Sequence, residues 1–298
     1  MSTRRLHADE AETDPTLVRA LLAAQFPQWA RLPVRPADAT GTSNTMYRLG
    51  EDLVVRLPRT PGAARDVPLE HRWLPRLAPL LPVAVPVPLG LGVPGEGYPF
   101  AWSVYRWLPG EPPAVGRTPE PALLAADLAD FIAVLRGLDP TDAPPSWRAE
   151  ALASRDASTR AALAKVSGLI DTDAATACWD RALRAPAWAE PPVWIHADLQ
   201  PGNVLLADGR LSAVIDFGCL GLGDPAVDLI AAWYLLPAEA RALFRAGAGA
   251  AADDDATWAR AQGWTLSIAL NELWYYLETS PAKAALARHV IGELLAEE

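Results

Sequence analysis

The sequence predicts an α+β chain in two lobes, a small β-rich N-lobe and a larger, mainly helical C-lobe. Three observations carry this expectation. Short β-branched and apolar runs cluster before residue 108. A Pro/Gly-rich stretch, Leu108-Pro-Gly-Glu-Pro-Pro-Ala-Val-Gly, then interrupts the pattern as linkers do. Beyond it, apolar residues recur at helical spacing, broken by one β-rich island. The expected domains are therefore 1–108 and 109–298.

Asp14-Pro15 opens the first helix, because Asp caps exposed N–H groups and Pro at the first position has none to lose. Val34–Thr40, Thr45–Leu49 and Leu53–Leu57 read as strands, with Gly50-Glu51-Asp52 turning between the last two. A helix follows over Val67–Leu77, and Pro75 is where it ends or bends. Extended segments over Ala84–Leu91 and Phe100–Trp107 complete the N-lobe. In the C-lobe the spacing predicts helices near 120–138, 157–170, 173–184, 225–236, 257–278 and 282–296. In the island, Val204–Leu206 and Leu211–Ile215 flank Asp208-Gly209, a dipeptide that favours a tight hairpin.

Composition narrows the function classes. Of 298 residues, 51% are hydrophobic, enough for a packed core. The best apolar run, Leu74–Val93, is broken by Arg76 and several prolines, so no membrane span is expected. The net charge of −10 is uneven. Residues 1–108 hold 12 Arg, no Lys and 10 acidic residues, whereas the remainder holds 14 basic and 26 acidic residues. An acidic second half argues against nucleic acid as partner. It is compatible with a cationic small molecule, but taken by itself it reads first as a solvated acidic surface. Cys178 and Cys219 stand alone and the opening residues lack an apolar stretch, which together lead us to expect a cytoplasmic protein without a signal peptide.

The residues that carry chemistry lie on the β-rich island. His196-Ala197-Asp198-Leu199-Gln200-Pro201-Gly202-Asn203 precedes the hairpin and Asp216-Phe217-Gly218 follows it. Phosphoryl transfer needs charge neutralisation, in-line placement and a home for one acceptor proton. Asp198 suits the proton. The amide oxygen of Asn203 and the carboxylate of Asp216 suit Mg²⁺, which prefers hard oxygen ligands. The hairpin would return the chain so that the loops at its two ends lie together. Alone, Asp198 reads as a turn residue and His196 as a buried histidine. The joint pattern, His-x-Asp-Leu-x-x-x-x-Asn with Asp-Phe-Gly thirteen residues after the Asn, is that of the kinase catalytic loop and metal motif.

On these motifs, and on Gly223-Asp224-Pro225-Ala226-Val227-Asp228-Leu229, the chain resembles the aminoglycoside phosphotransferase family. That family lies in the kinase-like superfamily, with choline, homoserine and macrolide kinases. The resemblance implies a bilobal protein-kinase-like fold, a Mg²⁺ cofactor and ATP or GTP as phosphoryl donor. It implies Asp198 as catalytic base supported by His196, Asn203 and Asp216 as metal ligands, and Asp224 and Asp228 as structural support. Asp228 would brace the loop through backbone hydrogen bonds, or be an ordinary carboxylate at a helix start. Gln200 stands where Ser/Thr kinases have Lys, and only five residues separate Gly218 from Asp224. There is no room for a peptide-docking segment, so a small hydroxyl-bearing acceptor is expected rather than a protein.

For the nucleotide, Gly41-Thr-Ser43-Asn44 could lay N–H groups and hydroxyls over phosphates, or be a plain turn. By the resemblance, Arg56 stands where kinases place a phosphate-binding Lys, with Glu70 orienting it and Arg59 in reserve. An Arg fork can bind phosphate and carboxylate bidentately; the plain alternative is an exposed edge-strand Arg. Tyr105, Arg106, Trp107 and Leu108 would lie along the purine. For the acceptor, Asp253, Asp254, Glu272, Trp274 and Tyr275 are candidates, with Trp264, Asn271 and Tyr276 beside them. The same aromatics could instead fill the lobe as a core stripe. The expected function is O-phosphotransfer to a small molecule. The alternatives are a macrolide or metabolite kinase and a nucleotide-binding pseudokinase.

Overall fold

The structure is a computed structural model describing residues 10–37, 43–114, 118–249, 252 and 254–297. It divides into two compact units, one running to Pro109 and including Ala213–Gly218, the other comprising Gly110–Ser212 and Cys219–Glu298. Sequence reading had assigned residues 213–218 to the second domain.

The first unit is built on a five-stranded antiparallel sheet ordered β1-β2-β3-β5-β4, with β1 Val34–Pro36, β2 Asn44–Leu49, β3 Leu53–Pro58, β4 Pro88–Gly92 and β5 Trp102–Arg106. Gly50 turns β2 into β3 at φ +60°, a conformation only Gly adopts without strain. Alternate residues Tyr47, Leu49, Val55, Leu57, Trp102 and Val104 face helix α1 (Pro15–Gln25), which presents Val18, Leu21 and Leu22 at helical spacing. Asp14 caps α1, its Oδ1 accepting from Leu17 N–H at 2.7 Å. A short helix α2 (Pro61–Ala64) leads to α3 (Asp66–Leu77), which contains Pro75 without ending there.

The strand expected over Ala84–Leu91 begins late, at Pro88, because Pro86 before it has no N–H to pair. Ala84 instead accepts from Val214 N–H at 3.0 Å in an isolated parallel bridge. That bridge ties residues 213–218 to the first unit. Part of the run expected over Val34–Thr40, and Gly41 with Thr42, lie outside the described residues.

The second unit is mainly helical: α4 Pro121–Arg136, α5 Asp156–Lys165, α6 Thr172–Arg184, α7 Ala231–Tyr234, α8 Ala238–Gly247, α9 Asp255–Tyr276 and α10 Pro281–Leu295. Helix α9 runs through its centre. Ala261, Gly263, Trp264, Leu266, Ile268 and Leu270 are buried on all its faces, the pattern of a helix enclosed by protein. A Cβ on Gly263 would come within 2.6 Å of Ala182 Cβ, so α6 packs there at its closest approach. Helix α8 was not expected. The helix expected over 225–236 is a 3₁₀ segment, Pro225–Ile230, continuing into α7.

Two small sheets carry the loops of interest. Strand β6 (Val193–Ile195) pairs with β9 (Gly221–Gly223), a pairing that sequence reading missed because each strand is three residues long. Strand β7 (Val204–Ala207) pairs with β8 (Arg210–Val214) around Asp208 and Gly209, both at positive φ as a tight hairpin turn requires. Among the described residues no helix is long and apolar enough to cross a membrane.

Candidate active site

In the second unit, β6 delivers the chain into the segment His196–Asn203. Asp228, fully buried, accepts from His196 N–H at 3.0 Å and from Ala197 N–H at 2.7 Å, one with each oxygen. Burial pushes the Asp228 carboxyl up, against the pull of His196, the two N–H groups and Arg136. Ala197 sits at φ +67°, a conformation costing a non-Gly residue about 1–2 kcal/mol. Two anchors hold it there: Asp228 on its N–H, and Arg148 Nη1 on its carbonyl. His196 is buried and accepts from Asp198 N–H through Nδ1 at 3.2 Å, so it touches the loop from inside.

Asp198 is held on both oxygens. Asn203 Nδ2 donates to its Oδ2 at 2.7 Å and to its carbonyl at 2.8 Å. Arg148 Nη1 donates to its Oδ1 at 2.9 Å, and Gln200 Nε2 to the same atom at 3.1 Å. The side chain keeps 25% of its surface exposed, so a ligand can reach it. Asn203 turns its NH₂ towards Asp198, which frees the amide oxygen for another partner. Gln200 also donates to Glu272 Oε1 at 3.1 Å, while Tyr234 donates to Glu272 Oε2 at 2.8 Å. Burial lowers the Arg148 guanidinium, but Asp198 and its neighbours outweigh this and hold it above its ordinary value.

A pocket of about 410 Å³ adjoins this network, lined by Arg148, Arg155, Asn271, Glu272 and the aromatic run Trp274–Tyr276. Trp274 and Tyr275 are exposed; Trp264 is fully buried and belongs to the core stripe instead. Asp254 is not part of this pocket: it caps α9, accepting from Thr257 N–H at 2.8 Å. At 1.5 Å per residue it lies about 27 Å along the helix from Glu272, too far for one small acceptor to span. Asp253 lies outside the described residues. Asp224 caps the segment after β9 through Ala226 N–H at 2.9 Å and pairs with Arg260 Nε at 2.7 Å.

The first unit holds a second cluster. Arg56 is not an exposed edge residue. Its Nη1 donates to both oxygens of Glu70, at 2.7 and 2.9 Å, and its Nη2 donates to Asp216 Oδ1 at 2.8 Å. With its amide oxygen facing the guanidinium, Asn44 accepts from Nε and Nη2 at 2.9 Å each. Tyr105 OH donates to Glu70 Oε2. Asp216, at φ +63°, keeps 40% of its side chain exposed and its second oxygen open. Asp66 lies beneath: burial first, then Glu70, lift its carboxyl to about 7, with Arg56 opposing. The Ser43 carbonyl accepts from Arg59 N–H at 2.9 Å. Along the expected purine edge, Arg106 is exposed and pairs opposite Leu53, Trp107 N–H donates to Asp52 O at 2.7 Å, and Leu108 is half-buried. Among the described residues no three His, Cys, Asp or Glu side chains form a metal cluster. In the second unit the Asn203 amide oxygen, and separately in the first unit the second carboxylate oxygen of Asp216, are hard oxygen donors with no hydrogen bond to the other described residues.

Residues 34–264 match the phosphotransferase enzyme family. The chain belongs to that family. This phosphotransferase shares its fold with solved relatives of low identity. The GDP complex of wild-type aminoglycoside 2'-phosphotransferase-IIIa is 20% identical, with a TM-score of 0.72 over 96% of this chain and 99% of that one. A GDP and kanamycin complex of an APH(2") enzyme is 19% identical, with a TM-score of 0.73 over 94% and 99%. The apoenzyme of macrolide 2'-phosphotransferase MphH from Brachybacterium faecium is 23% identical, with a TM-score of 0.62 over 93% and 97%. No curated protein sequence matches the phosphotransferase. Its fold is thus the kinase-like one that the catalytic-loop motif implied, with a five-stranded sheet in one unit and helices in the other. Arg148, Tyr234 and Asp66 were missed by sequence reading, and Gln200 was read only as the residue standing where Ser/Thr kinases have Lys. Arg148 lies fifty residues before Asp198, and no local pattern links the two.

Proposed function

We propose that this phosphotransferase moves the terminal phosphoryl group of ATP or GTP, with Mg²⁺, onto a hydroxyl of a small molecule. Asp198 carries the reading: an accessible carboxylate, oriented on both oxygens, beside an aromatic-walled pocket of small-molecule size. In this scheme Asp198 orients the acceptor alcohol and takes its proton. Asn203 and Asp216 are the residues that would ligate Mg²⁺, which when bound would neutralise phosphate charge. Arg56, aligned by Glu70 and Asn44, engages phosphate oxygens in place of a lysine. Ser43 and the Tyr105–Leu108 segment would contribute contacts to the nucleotide. Nucleotide-bound relatives include GDP and ADP complexes, which supports a purine nucleotide without choosing the base. The macrolide phosphotransferase among the relatives keeps a macrolide acceptor in view, and a metabolite alcohol is a further option.

The test is phosphoryl transfer from ATP and GTP to a panel of aminoglycosides, macrolides, amino alcohols and sugars, with wild type and Asp198→Asn. Removal of a general base costs about 10²–10⁴ in rate. The variant should lose that much while retaining nucleotide binding, and an unchanged rate would remove Asp198 from the mechanism. A second reading is favoured by one contact: Arg56 occupies one oxygen of Asp216, the proposed metal ligand. If that bond persists, the protein binds nucleotide without turnover. Mg²⁺–nucleotide would then raise Tm while no acceptor is phosphorylated.

A further inference from the structure

The chain has two lysines, Lys165 and Lys283, and both sit on the aromatic run that walls the pocket beside Asp198. Lys165 Nζ lies 3.3 Å from the centre of the Trp274 ring, and Lys283 Nζ lies 4.7 Å from that of Tyr276. Neither forms a salt bridge among the described residues. Burial depresses the Lys283 ammonium, and Glu272 and Asp198 are the charges close enough to oppose that effect. Two guanidinium groups, Arg148 and Arg155, line the same pocket. Burial lowers the Arg155 guanidinium; its bond to Glu150 opposes this, and the charge of Arg148 adds to the lowering.

The carboxylates around these cations are already engaged. Asp198 accepts from Asn203, Gln200 and Arg148; Glu272 accepts from Gln200 and Tyr234; Glu150 accepts from Arg155. A ligand with several ammonium groups would have to share carboxylates already bonded to Arg148 and Arg155, and would meet the like charge of Lys283. An oxyanion would find a half-buried lysine that forms no salt bridge among the described residues, and flat rings on which to lay an apolar face.

We propose that the acceptor is an oxyanion-bearing alcohol, its carboxylate or equivalent anion held by Lys283 and Arg155 and its ring face laid on Trp274 and Tyr275. Polyaminated sugars are disfavoured. This departs from the cationic acceptor suggested by the acidic composition of the second half. It rests on the reading of Asp198 as the group that activates the alcohol.

Three aryl glycosides that differ in charge at the sugar test it: 4-nitrophenyl glucuronide, 4-nitrophenyl glucoside and 4-nitrophenyl 2-amino-2-deoxyglucoside. Each is titrated into the full chain by calorimetry and offered as acceptor with Mg²⁺ and ATP or GTP. The glucuronide should bind at least about tenfold tighter than the glucoside, and the aminated sugar weakest. Lys283→Met, which keeps the apolar stem on Tyr276, should cut that preference to about threefold or less. Lys283→Arg should retain it, and neither variant should alter nucleotide affinity. Tightest binding of the aminated sugar, a preference indifferent to Lys283→Met, or no binding of any of the three at millimolar concentration overturns the proposal. The two levels separate cleanly. Preferred glucuronide binding without phosphoryl transfer sinks the role of Asp198 alone, whereas transfer to the aminated sugar only sinks the charge assignment alone.

Discussion

The Arg56–Glu70 pair offers the most direct measurement of how the first unit is built. Glu70 is 1% exposed, and its carboxylate is balanced by two guanidinium bonds and the Tyr105 hydroxyl. Arg56→Met removes the countercharge and strands a buried carboxylate, which costs about 3–5 kcal/mol. Glu70→Gln leaves Arg56 with Asp216 and Asn44, and the loss is that of charged hydrogen bonds, about 1.5–3 kcal/mol. In the double variant neither charge is stranded. Its destabilisation should therefore fall short of the sum of the singles by about 2–3 kcal/mol. The Arg56–Asp216 bond adds little to this figure, because Asp216 is 40% exposed and solvent screens it. Equilibrium urea unfolding of the four proteins, followed by far-UV circular dichroism, gives the coupling. A value below about 0.5 kcal/mol would refute the claim that this pair is a mutually dependent buried unit.

Asp228→Asn should cost about 2–3 kcal/mol, because an amide can accept only one of the two N–H groups and opposes the other with its own NH₂. Relaxed at Ala197, this variant should lose phosphoryl-transfer rate more than nucleotide affinity, as kcat set against nucleotide Kd would reveal. Asp66 gives a pH dependence in the absence of Mg²⁺. Its folded value of about 7 stands above the ordinary 3.8, so the folded chain holds a proton that the unfolded chain releases between those values. Wild-type stability from this group is present below pH 4 and declines as pH rises towards 7. Asp66→Asn should be spared that decline, and parallel Tm curves for the two proteins across the window would count against it. Gly221→Ala should destabilise by about 2 kcal/mol, because its Cβ would sit 2.4 Å from the backbone nitrogen of Ser146. Gly202→Ala, which meets nothing within 4 Å, should stay within about 0.5 kcal/mol in the same unfolding experiment.

Local signals were legible where one residue suffices to set the backbone. Asp14 before Pro15, Gly50 between strands and Asp208-Gly209 each announce a cap or turn, and each is found there. Helix ends agree to within a few residues for the strongly periodic segments, such as Pro121–Arg136 and Asp255–Tyr276. The helix expected over Val67–Leu77 is found as Asp66–Leu77, so it does not end at Pro75 but runs on to Leu77, with Trp73, Leu74 and Leu77 buried. The β6–β9 pairing was illegible, because three residues give no usable alternation and their partners lie far along the chain. Asp254 and Trp264 show how a sequence pattern can suggest a pocket where the fold uses a helix cap and a core ring.

By itself the sequence determined the kind of chain this is. The spacing of His196, Asp198, Asn203 and Asp216 around one hairpin is a local property, written in consecutive residues, and it led to the phosphotransferase family. Tertiary structure alone decided which side chains hold those residues and what character the neighbouring pocket has. Arg148 reaches Asp198 across fifty positions, Tyr234 reaches Glu272 across thirty-eight, and Lys165 and Lys283 meet on one aromatic run from different helices. Charge counted along a chain is an average. Charge in a pocket depends on which groups the fold has already paired, and pairing is settled only when distant segments pack.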